Sequence, residues 1–229
     1  MKKILITGGS GFIGSHIAEK FLNENYIVGV VDLWKSPEIK DFEKKYQNFK
    51  FYSLSVLDFE KIENVMVNYD NIIHLAAILG TSETITTYDI EDVIKTNVLG
   101  TTKILKFSKK LNYRKVLIPT TPDVTWLNPY KITKQAVERT AQLFNVEYGL
   151  NVTCLKLGNI YGSRERWLEA NDVDMDSPFN YQKIIPTFIM NTLNNKQIDI
   201  YGDGHQKSEY IYVEDVVNSF FLSIESGKN

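Results

Sequence analysis

The chain has 229 residues, 43% of them hydrophobic, which is enough to bury the core of one large domain or of one domain with a small lobe. A formal net charge of −2 with both signs interspersed offers no basic surface for nucleic acid, and no apolar run approaches the ~20 residues that would span a membrane. The single cysteine, Cys154, excludes an internal disulfide, and the first apolar run begins close to Met1. We therefore expect a cytoplasmic protein without a signal peptide, and we expect no metal site.

Short apolar runs alternate with helical patterns along the first two thirds of the chain. The runs predict strands near 3–7, 27–31, 49–54, 71–75, 115–119 and 152–157, and the patterns predict helices near 12–24, 58–68, 88–110 and 130–148. This alternation is typical of an α/β fold with a doubly wound parallel sheet and helices on both faces. Ligands of such folds bind beyond the carboxyl ends of the strands.

Three glycines spaced three residues apart follow the first predicted strand. Gly8 permits a tight turn, Gly11 lets the backbone approach a pyrophosphate, and Gly14 lets the next helix pack close to the strand. The second predicted strand ends in Asp32, 18 residues after Gly14. A carboxylate there can accept hydrogen bonds from both ribose hydroxyls and repels a 2′-phosphate. The pattern predicts a Rossmann dinucleotide site that prefers NAD to NADP.

A second pair of residues, Tyr130 and Lys134, opens the helix after the fifth predicted strand. Because they are four residues apart, they share one face of that helix. A free tyrosine has a pKa of ~10, and a nearby ammonium together with an oxidised nicotinamide ring would lower it toward that of a useful base. A surface Tyr and Lys on an amphipathic helix would give the same pattern, but the position after a dinucleotide fold favours the catalytic interpretation.

The pattern changes after about residue 160. Segment 163–182 is rich in charge, Asn and Pro, and it is followed by a predicted helix at 184–194, a short strand at 198–201, a strand at 209–213 and a helix at 214–226. We expect a Rossmann domain over 1–162, with sheet and helix contributions from 209–226. The remainder, 163–208, is expected to form a small, partial substrate-binding lobe over the active edge of the sheet.

Motifs spread over almost the whole chain occur in a specific order. They are the glycine turn at 7–14, Asp32, 74–77, Asn97 within 96–101, Tyr130 with Lys134, 157–162, 201–204 and 210–215. In this order and spacing the chain resembles an extended short-chain dehydrogenase/reductase of the nucleotide-sugar epimerase/dehydratase group.

The resemblance implies bound NAD and a nucleotide-sugar substrate. It implies a catalytic set in which Thr121 orients the reacting hydroxyl, Tyr130 is the base and Lys134 holds the ribose, with Thr120 as the competitor of Thr121. Asn97 would support the active-site helix or, alternatively, satisfy buried backbone groups. The implied cofactor contacts are Gly8, Gly11, Phe12, Ile13, Gly14, Asp32, Leu33, Ser55, Val56, Leu75, Ala76, Ala77, Asn97, Tyr130, Lys134 and Leu157, and the implied substrate contacts are Thr81, Thr121, Asn159 and Lys207.

The chain also departs from the family pattern. Only eight residues separate Thr121 from Tyr130, and the Tyr-Gly pair of the family is replaced by Thr125-Trp126. Ser55 replaces an adenine-side aspartate. Ser208, beside Lys207, replaces an arginine that grips the substrate phosphates, and an ammonium is a less directional substitute. Relatives continue beyond Asn229, which leaves open a short natural form, a truncated form or a fragment.

The expected reaction is epimerisation of the sugar at C4 by transient hydride transfer to bound NAD. A 4,6-dehydratase or a decarboxylase of the same family stays open. Dehydratase relatives carry Thr-Asp-Glu at 121–123, but Pro122 cannot donate a proton here, and Asp123 is either a base or a turn residue. A non-catalytic NAD-binding sensor or scaffold is the alternative of another class.

A homodimer is also expected, because the two helices that pair in relatives carry apolar residues beyond one core stripe. The alternative is that these side chains are buried against the sheet. They are Ile104, Leu105, Phe107, Val137 and Phe144.

Overall fold

The computed structural model describes residues 1–80, 83–122, 127–165, 183–200 and 202–226. Eight strands lie in these ranges: β1 Lys3–Thr7, β2 Ile27–Asp32, β3 Phe49–Ser53, β4 Asn71–His74, β5 Lys115–Thr120, β6 Val152–Lys156, β7 Asn159–Tyr161 and β8 Tyr210–Tyr212. The α-helices of the same ranges are α1 Phe12–Asn23, α2 Pro37–Lys45, α3 Phe59–Met66, α4 Glu83–Thr86, α5 Ile90–Ile94, α6 Thr101–Lys110, α7 Pro129–Val146, α8 Ile184–Leu193 and α9 Val213–Glu225, with a π-helix at Lys95–Gly100 between α5 and α6.

Strands β1 to β6 form one parallel sheet in the order β3-β2-β1-β4-β5-β6. The chain winds outward from β1 to β3 and then returns to the other side of β1, which creates a switch point between β1 and β4 where ligands of such sheets bind. The predicted doubly wound Rossmann sheet is confirmed.

The sheet is buried on both faces, because alternate side chains of each strand point to opposite layers. In β1, Ile4 and Ile6 pack with α1 and α9, whereas Leu5 packs in the layer that contains α3, α6 and α7. The six strands therefore hold their carboxyl ends in a rigid row between two helical layers.

The C-terminal helix α9 belongs to the first of these layers. Its residues Val213, Val216 and Phe220 are buried in the same cluster as Ile17 and Phe21 of α1. Its far end is fixed by Lys2, whose Nζ lies 2.6 Å from Glu225 Oε2. Helix α9, near the predicted 214–226, thus packs on α1 and the sheet.

The expected contribution of 209–226 to the Rossmann sheet differs from the pairing observed in the structure. Strand β8 does not join the six-stranded sheet but pairs in parallel with β7 in a separate two-stranded sheet. The predicted strand at 198–201 is also wrong over the residues described there, since 198–200 carry no strand.

Three helical segments differ from the sequence-based pattern, and one of them is the short helix α4, which the pattern did not predict. The pattern missed α2, although Ser36 caps it by accepting a hydrogen bond from Ile39 N at 3.3 Å and Pro37 occupies its first turn, both typical of a helix start. The single helix predicted over 88–110 is divided into α5, the π-helix and α6.

The apolar residues taken as dimer contacts are mostly core residues. Ile104, Leu105, Val137 and Phe144 are buried in the layer beneath the sheet, and Phe107 packs against that layer. The alternative interpretation, burial within the protomer, is the correct one for these side chains. They therefore give no support to a dimer.

Candidate functional site

The glycine turn joins β1 to α1 at the switch point of the sheet. Gly8 has a φ of 71°, and a Cβ there would lie 2.7 Å from Ala76 N. A Cβ at Gly14 would lie 2.3 Å from Gly8 O, so the start of α1 can approach the turn only without a side chain. At Gly11, the only atom of the described residues that a Cβ would meet is Gly8 O, at 3.3 Å. Gly8 and Gly14 are needed for close packing, whereas Gly11 keeps the approach to the helix open.

The N-terminus of α1 is suited to an anion. Its N-cap is Gly11, no side chain caps it, and the first turn carries no acidic residue. Backbone N–H groups of the first turn lack intrahelical acceptors in such a helix, and the helix dipole favours negative charge at this end. Phe12 and Ile13 lie in this turn and are half-buried. The turn therefore fits a pyrophosphate.

Asp32 ends β2 beside the glycine turn. Its Oδ2 accepts a hydrogen bond from Ser10 N at 3.0 Å, and its Oδ1 accepts one from Leu33 N at 2.8 Å. The nearby cation Lys35 is engaged by Glu43, with Nζ 2.8 Å from Oε2. The carboxylate is therefore held at the end of the strand, and the charge that could attract a 2′-phosphate is already paired.

Two further segments border the turn. After β4, Leu75 N donates to Thr7 O at 3.0 Å and Ala76 N donates to Thr7 Oγ1 at 3.3 Å, which fixes 75–77 beside Gly8. After β3, the hydroxyl of Ser55 accepts from Leu57 N at 3.1 Å, and Val56 is buried. The structure brings these predicted cofactor residues to one edge of the sheet.

Asn97 lies in the π-helix, a local distortion often found at functional sites. Its side chain accepts from Ile78 N at 2.8 Å, donates to Ile78 O at 2.9 Å and donates to Thr133 Oγ1 at 3.1 Å. The amide of Asn97 therefore satisfies buried backbone groups and also links them to helix α7.

Tyr130 and Lys134 lie on one face of α7. Asn128 caps the helix by accepting from Lys131 N at 3.0 Å, and Pro129 occupies its first turn. Lys134 is only 6% exposed, its Nζ donates to Pro119 O at 3.1 Å, and that nitrogen lies 5.7 Å from the centre of the Tyr130 ring. The pair sits beside the carboxyl end of β5.

Burial dominates the ionisation of this pair. It raises the pKa of Tyr130 to about 12 and lowers the pKa of Lys134 to about 8. In the protein without a ligand, Lys134 alone does not offset this effect of burial on the pKa of Tyr130. A further positive charge is needed before the phenolate is accessible near neutral pH.

The two candidate threonines occupy different environments. Thr120 ends β5, is 2% exposed, and its buried hydroxyl has no hydrogen-bond partner among the described residues. Thr121 is half-buried, and its Oγ1 donates to the adjacent Pro122 O at 3.3 Å. Leu157 lies beside the same strand end, where its N–H donates a hydrogen bond to Thr120 O at 3.1 Å.

Asn159 and Lys207 come close together through β7 and its partner strand. Asn159 N donates to Glu209 O at 3.2 Å, and its side-chain amide donates to the hydroxyl of Ser208, the neighbour of Lys207. Both Asn159 and Lys207 are exposed. Thr81, Asp123 and Trp126 lie outside the described residues.

Sequence reasoning gave no role to Thr133 and Ser10, although they orient Asn97 and Asp32. The position of Thr133 between Tyr130 and Lys134, on the same helix, could have pointed to it. Within the described ranges, no group of three or more His, Cys, Asp or Glu could hold a metal. In the same ranges, no helix combines the length and apolar character needed to cross a membrane.

Known proteins share this arrangement over nearly the whole chain. The chain is 32% identical over 250 residues to the UDP-N-acetyl-alpha-D-glucosaminuronate decarboxylase of Bacillus cytotoxicus, covering 100% of this chain and 73% of that protein. It is 31% identical over 265 residues to the dTDP-D-glucose 4,6-dehydratase of Dictyostelium discoideum, covering 100% of this chain but only 56% of that protein. The crystal structure of UDP-glucose 4-epimerase from Thermotoga maritima with UDP-glucose superposes with a TM-score of 0.81 at 29% identity, over 97% of this chain and 73% of that one.

The family model described as "NAD dependent epimerase/dehydratase family" matches residues 4–229. This match extends from the first residues of β1 beyond the last residues of α9. The chain belongs to the NAD-dependent epimerase/dehydratase family.

Proposed function

We propose that this protein is an NAD-dependent nucleotide-sugar epimerase that inverts one sugar carbon, C4. The observation that carries the proposal is the position of Tyr130 and Lys134 at the same sheet edge as the glycine turn. A base and a dinucleotide-binding glycine turn at one sheet edge can act on the same hydroxyl-bearing carbon.

NAD fits the residues of this edge. The glycine turn would take its pyrophosphate, Asp32 its ribose, and the small side chains of 75–77 would leave room along its length. The space that a Cβ at Gly11 would fill supports this assignment. When bound, NAD supplies a reversible hydride acceptor.

Tyr130 is the proposed base for the sugar hydroxyl. Its Oη would take the hydroxyl proton as the carbon is oxidised and return it as the carbon is reduced. Because burial alone raises its pKa to about 12, the phenolate needs positive charge nearby. With a pKa of about 8, Lys134 keeps most of its charge at neutral pH, and its ammonium would also hold the cofactor ribose.

Thr121 is the proposed orienting residue for that hydroxyl, and Thr120 is the competitor. The hydroxyl of Thr120 has no hydrogen-bond partner among the described residues, which makes the comparison necessary. If Thr121 has the role, Thr121→Val should reduce turnover while Thr120→Val changes it less. The reverse result would assign the role to Thr120.

The substrate diphosphate is proposed to lie at Asn159 and Lys207, with Thr81 nearer the sugar. An exposed amide and an exposed ammonium on adjoining segments suit a phosphate group, although the ammonium holds it with less directionality than an arginine would. In this proposal 1–162 form the dinucleotide domain and 163–208 form part of a substrate lobe.

A second candidate is elimination or decarboxylation. It is favoured by the 31% and 32% identities to a protein named as a 4,6-dehydratase and to one named as a decarboxylase. Pro122 argues against elimination, because its side chain can donate no proton where dehydratases carry an aspartic acid. Asp123 would have to supply the remaining acid–base chemistry.

The experiment is to incubate the protein and NAD with UDP-glucose, dTDP-glucose and UDP-glucuronic acid and to analyse products by mass spectrometry and NMR. Epimerisation keeps the mass and inverts one stereocentre, without stoichiometric NADH. Loss of water identifies a dehydratase, and loss of carbon dioxide a decarboxylase. NAD binding without a product from any nucleotide sugar would favour the non-catalytic sensor or scaffold.

We also propose a homodimer, now on different residues. Helix α7 leaves several large apolar side chains exposed on its outer surface, and the π-helix leaves one, which an interface between copies would cover. They are Leu99, Ile132, Leu143 and Val146. Light scattering at micromolar concentration should report twice the protomer mass, whereas a monomer would refute the interface.

A further inference from the structure

His74 ends strand β4 and is buried between β1 and α6. Its Nδ1 lies 2.6 Å from Thr7 Oγ1, and its Nε2 lies 3.0 Å from Thr101 Oγ1. Both ring nitrogens therefore have a hydroxyl partner, one in the strand that leads into the glycine turn and one at the start of α6.

The direction of these hydrogen bonds follows from the hydroxyl protons. Thr101 Oγ1 donates its only proton to Asn97 O at 2.6 Å, so it must accept from His74 Nε2–H. Nδ1 then carries the lone pair and accepts from the hydroxyl of Thr7. Thr7 Oγ1 accepts in turn from Ala76 N at 3.3 Å. The chain of bonds has one direction and fixes one tautomer.

The imidazole is held neutral. Burial, followed by the charge of Lys134, lowers the pKa of His74 to about 3. A neutral ring suits the chain of bonds, because a second ring proton would face Thr7 Oγ1, which already uses its own proton toward the ring. His74 is thus a fixed connector and not an acid or base at neutral pH.

The two ends of this series of hydrogen bonds reach the two halves of the candidate site. At one end, Thr7 and Ala76 border the Gly8 turn. At the other end, Asn97 donates to Thr133 Oγ1, and that hydroxyl lies 2.9 Å from Tyr130 O. The hydrogen-bonded path runs from the glycine turn to helix α7, which carries the proposed base.

We infer that His74 is a positioning residue, which through Thr7 and Thr101 sets the distance between the glycine turn and the Tyr130 helix. The inference rests on the proposed function, since it concerns the alignment of the proposed base with the glycine turn that would bind the cofactor. A misplacement of about 1 Å in such an alignment can reduce turnover by about two orders of magnitude.

Helix α6 provides a matched pair of variants. Thr101 and Thr102 both donate to the carbonyl four residues earlier, at 2.6 and 2.7 Å, but only Thr101 contacts His74. Thr101→Val keeps the side-chain shape and removes the hydroxyl, whereas Thr101→Ser keeps the hydroxyl and loses a methyl. Thr102→Val is the control for losing a hydroxyl from this helix.

For turnover of UDP-glucose, or of whichever nucleotide sugar the product analysis identifies, we expect Thr101→Val to lower kcat at least tenfold. KM should change less than threefold. Thr101→Ser and Thr102→Val should both stay within threefold of wild type. If Thr101→Ser is as slow as Thr101→Val, the position serves packing alone and the inference is wrong. An unchanged kcat in Thr101→Val would also overturn it.

A second measurement does not depend on turnover. In the wild type, NMR of ¹⁵N-histidine should report the Nε2–H tautomer for His74 from pH 5 to 8. The ¹³Cζ resonance of Tyr130, assigned by its loss in Tyr130→Phe, should shift in Thr101→Val but not in Thr102→Val. If the wild type converts no sugar, the proposed function fails, and the inference is decided by this shift. Should Thr101→Val not fold, His74→Asn, which keeps only the acceptor for Thr7, replaces it in the same comparison.

Discussion

Replacing Gly14 by alanine should destabilise the fold, although alanine is the better helix former. The new methyl would lie 2.3 Å from Gly8 O and 2.6 Å from Gly9 Cα, and neither backbone atom can rotate away. Since carbon contacts are optimal at about 3.5 Å, α1 must move by about 1 Å or the turn must deform. Overpacking of this kind costs about 3 kcal/mol at its upper end, and the helix preference of alanine offsets about 1 kcal/mol, which leaves a net loss of about 2 kcal/mol.

The matched control is Gly11→Ala. There the methyl would meet only Gly8 O among the described residues, at 3.3 Å, and the φ of −76° suits alanine. We expect the unfolding free energy to change by less than about 1 kcal/mol, while NADH binds more weakly because the methyl occupies the phosphate approach. Urea unfolding followed by circular dichroism and NADH fluorescence titration measure the two effects. Equal stability of Gly14→Ala and wild type, or equal losses in both variants, would refute the packing argument.

Three further outcomes are expected. NADH should bind at least tenfold more tightly than NADPH in fluorescence titrations, because the Asp32 carboxylate repels a 2′-phosphate and Lys35 is paired with Glu43; equal affinities would place that carboxylate away from the ribose. Tyr130→Phe should abolish turnover in a product assay with NAD affinity within a few-fold of wild type, and near-normal activity would remove Tyr130 as the base. Because burial lowers the pKa of Lys134 to about 8, the unfolded chain binds more protons than the folded one between about pH 8 and 10.5, so stability rises with pH in that window. The free energy of urea unfolding of the wild type, measured relative to that of Lys134→Met, should rise by at most about 3 kcal/mol across the window. If this difference between the two proteins does not change with pH, Lys134 is not desolvated.

The parallel sheet and the glycine turn could be predicted because their signals are local. Gly14 is needed because of backbone contacts within the turn itself, Gly8 has the positive φ of a tight turn, and the strands are encoded by short apolar runs. The place of Asp32 followed from the same logic, since the end of the second strand must face the turn in a doubly wound sheet. These features depend on neighbours in sequence or on a topology with few alternatives.

Other features depend on packing between distant segments and could not be derived from spacing. The ionisation of Tyr130 is set by its burial, which no four-residue interval encodes. The π-helix at Lys95–Gly100 contains no proline and has its one glycine at its last position, and its Asn97 has hydrogen-bond partners in two separate segments. Ile104 and Val137 looked surplus to one core stripe, but the layer under the sheet is wide enough to bury them.

The packing of α9 on α1 has a consequence for folding during synthesis. Helix α1 leaves the ribosome early, yet the cluster around Phe21 is completed only by Val216 and Phe220, near the other end of the sequence. Such distant contacts form late, because the loop-closure entropy must be paid before they can contribute. A nascent chain that has not yet released α9 therefore presents an apolar stripe on α1, the kind of surface that chaperones hold and that aggregates at high concentration.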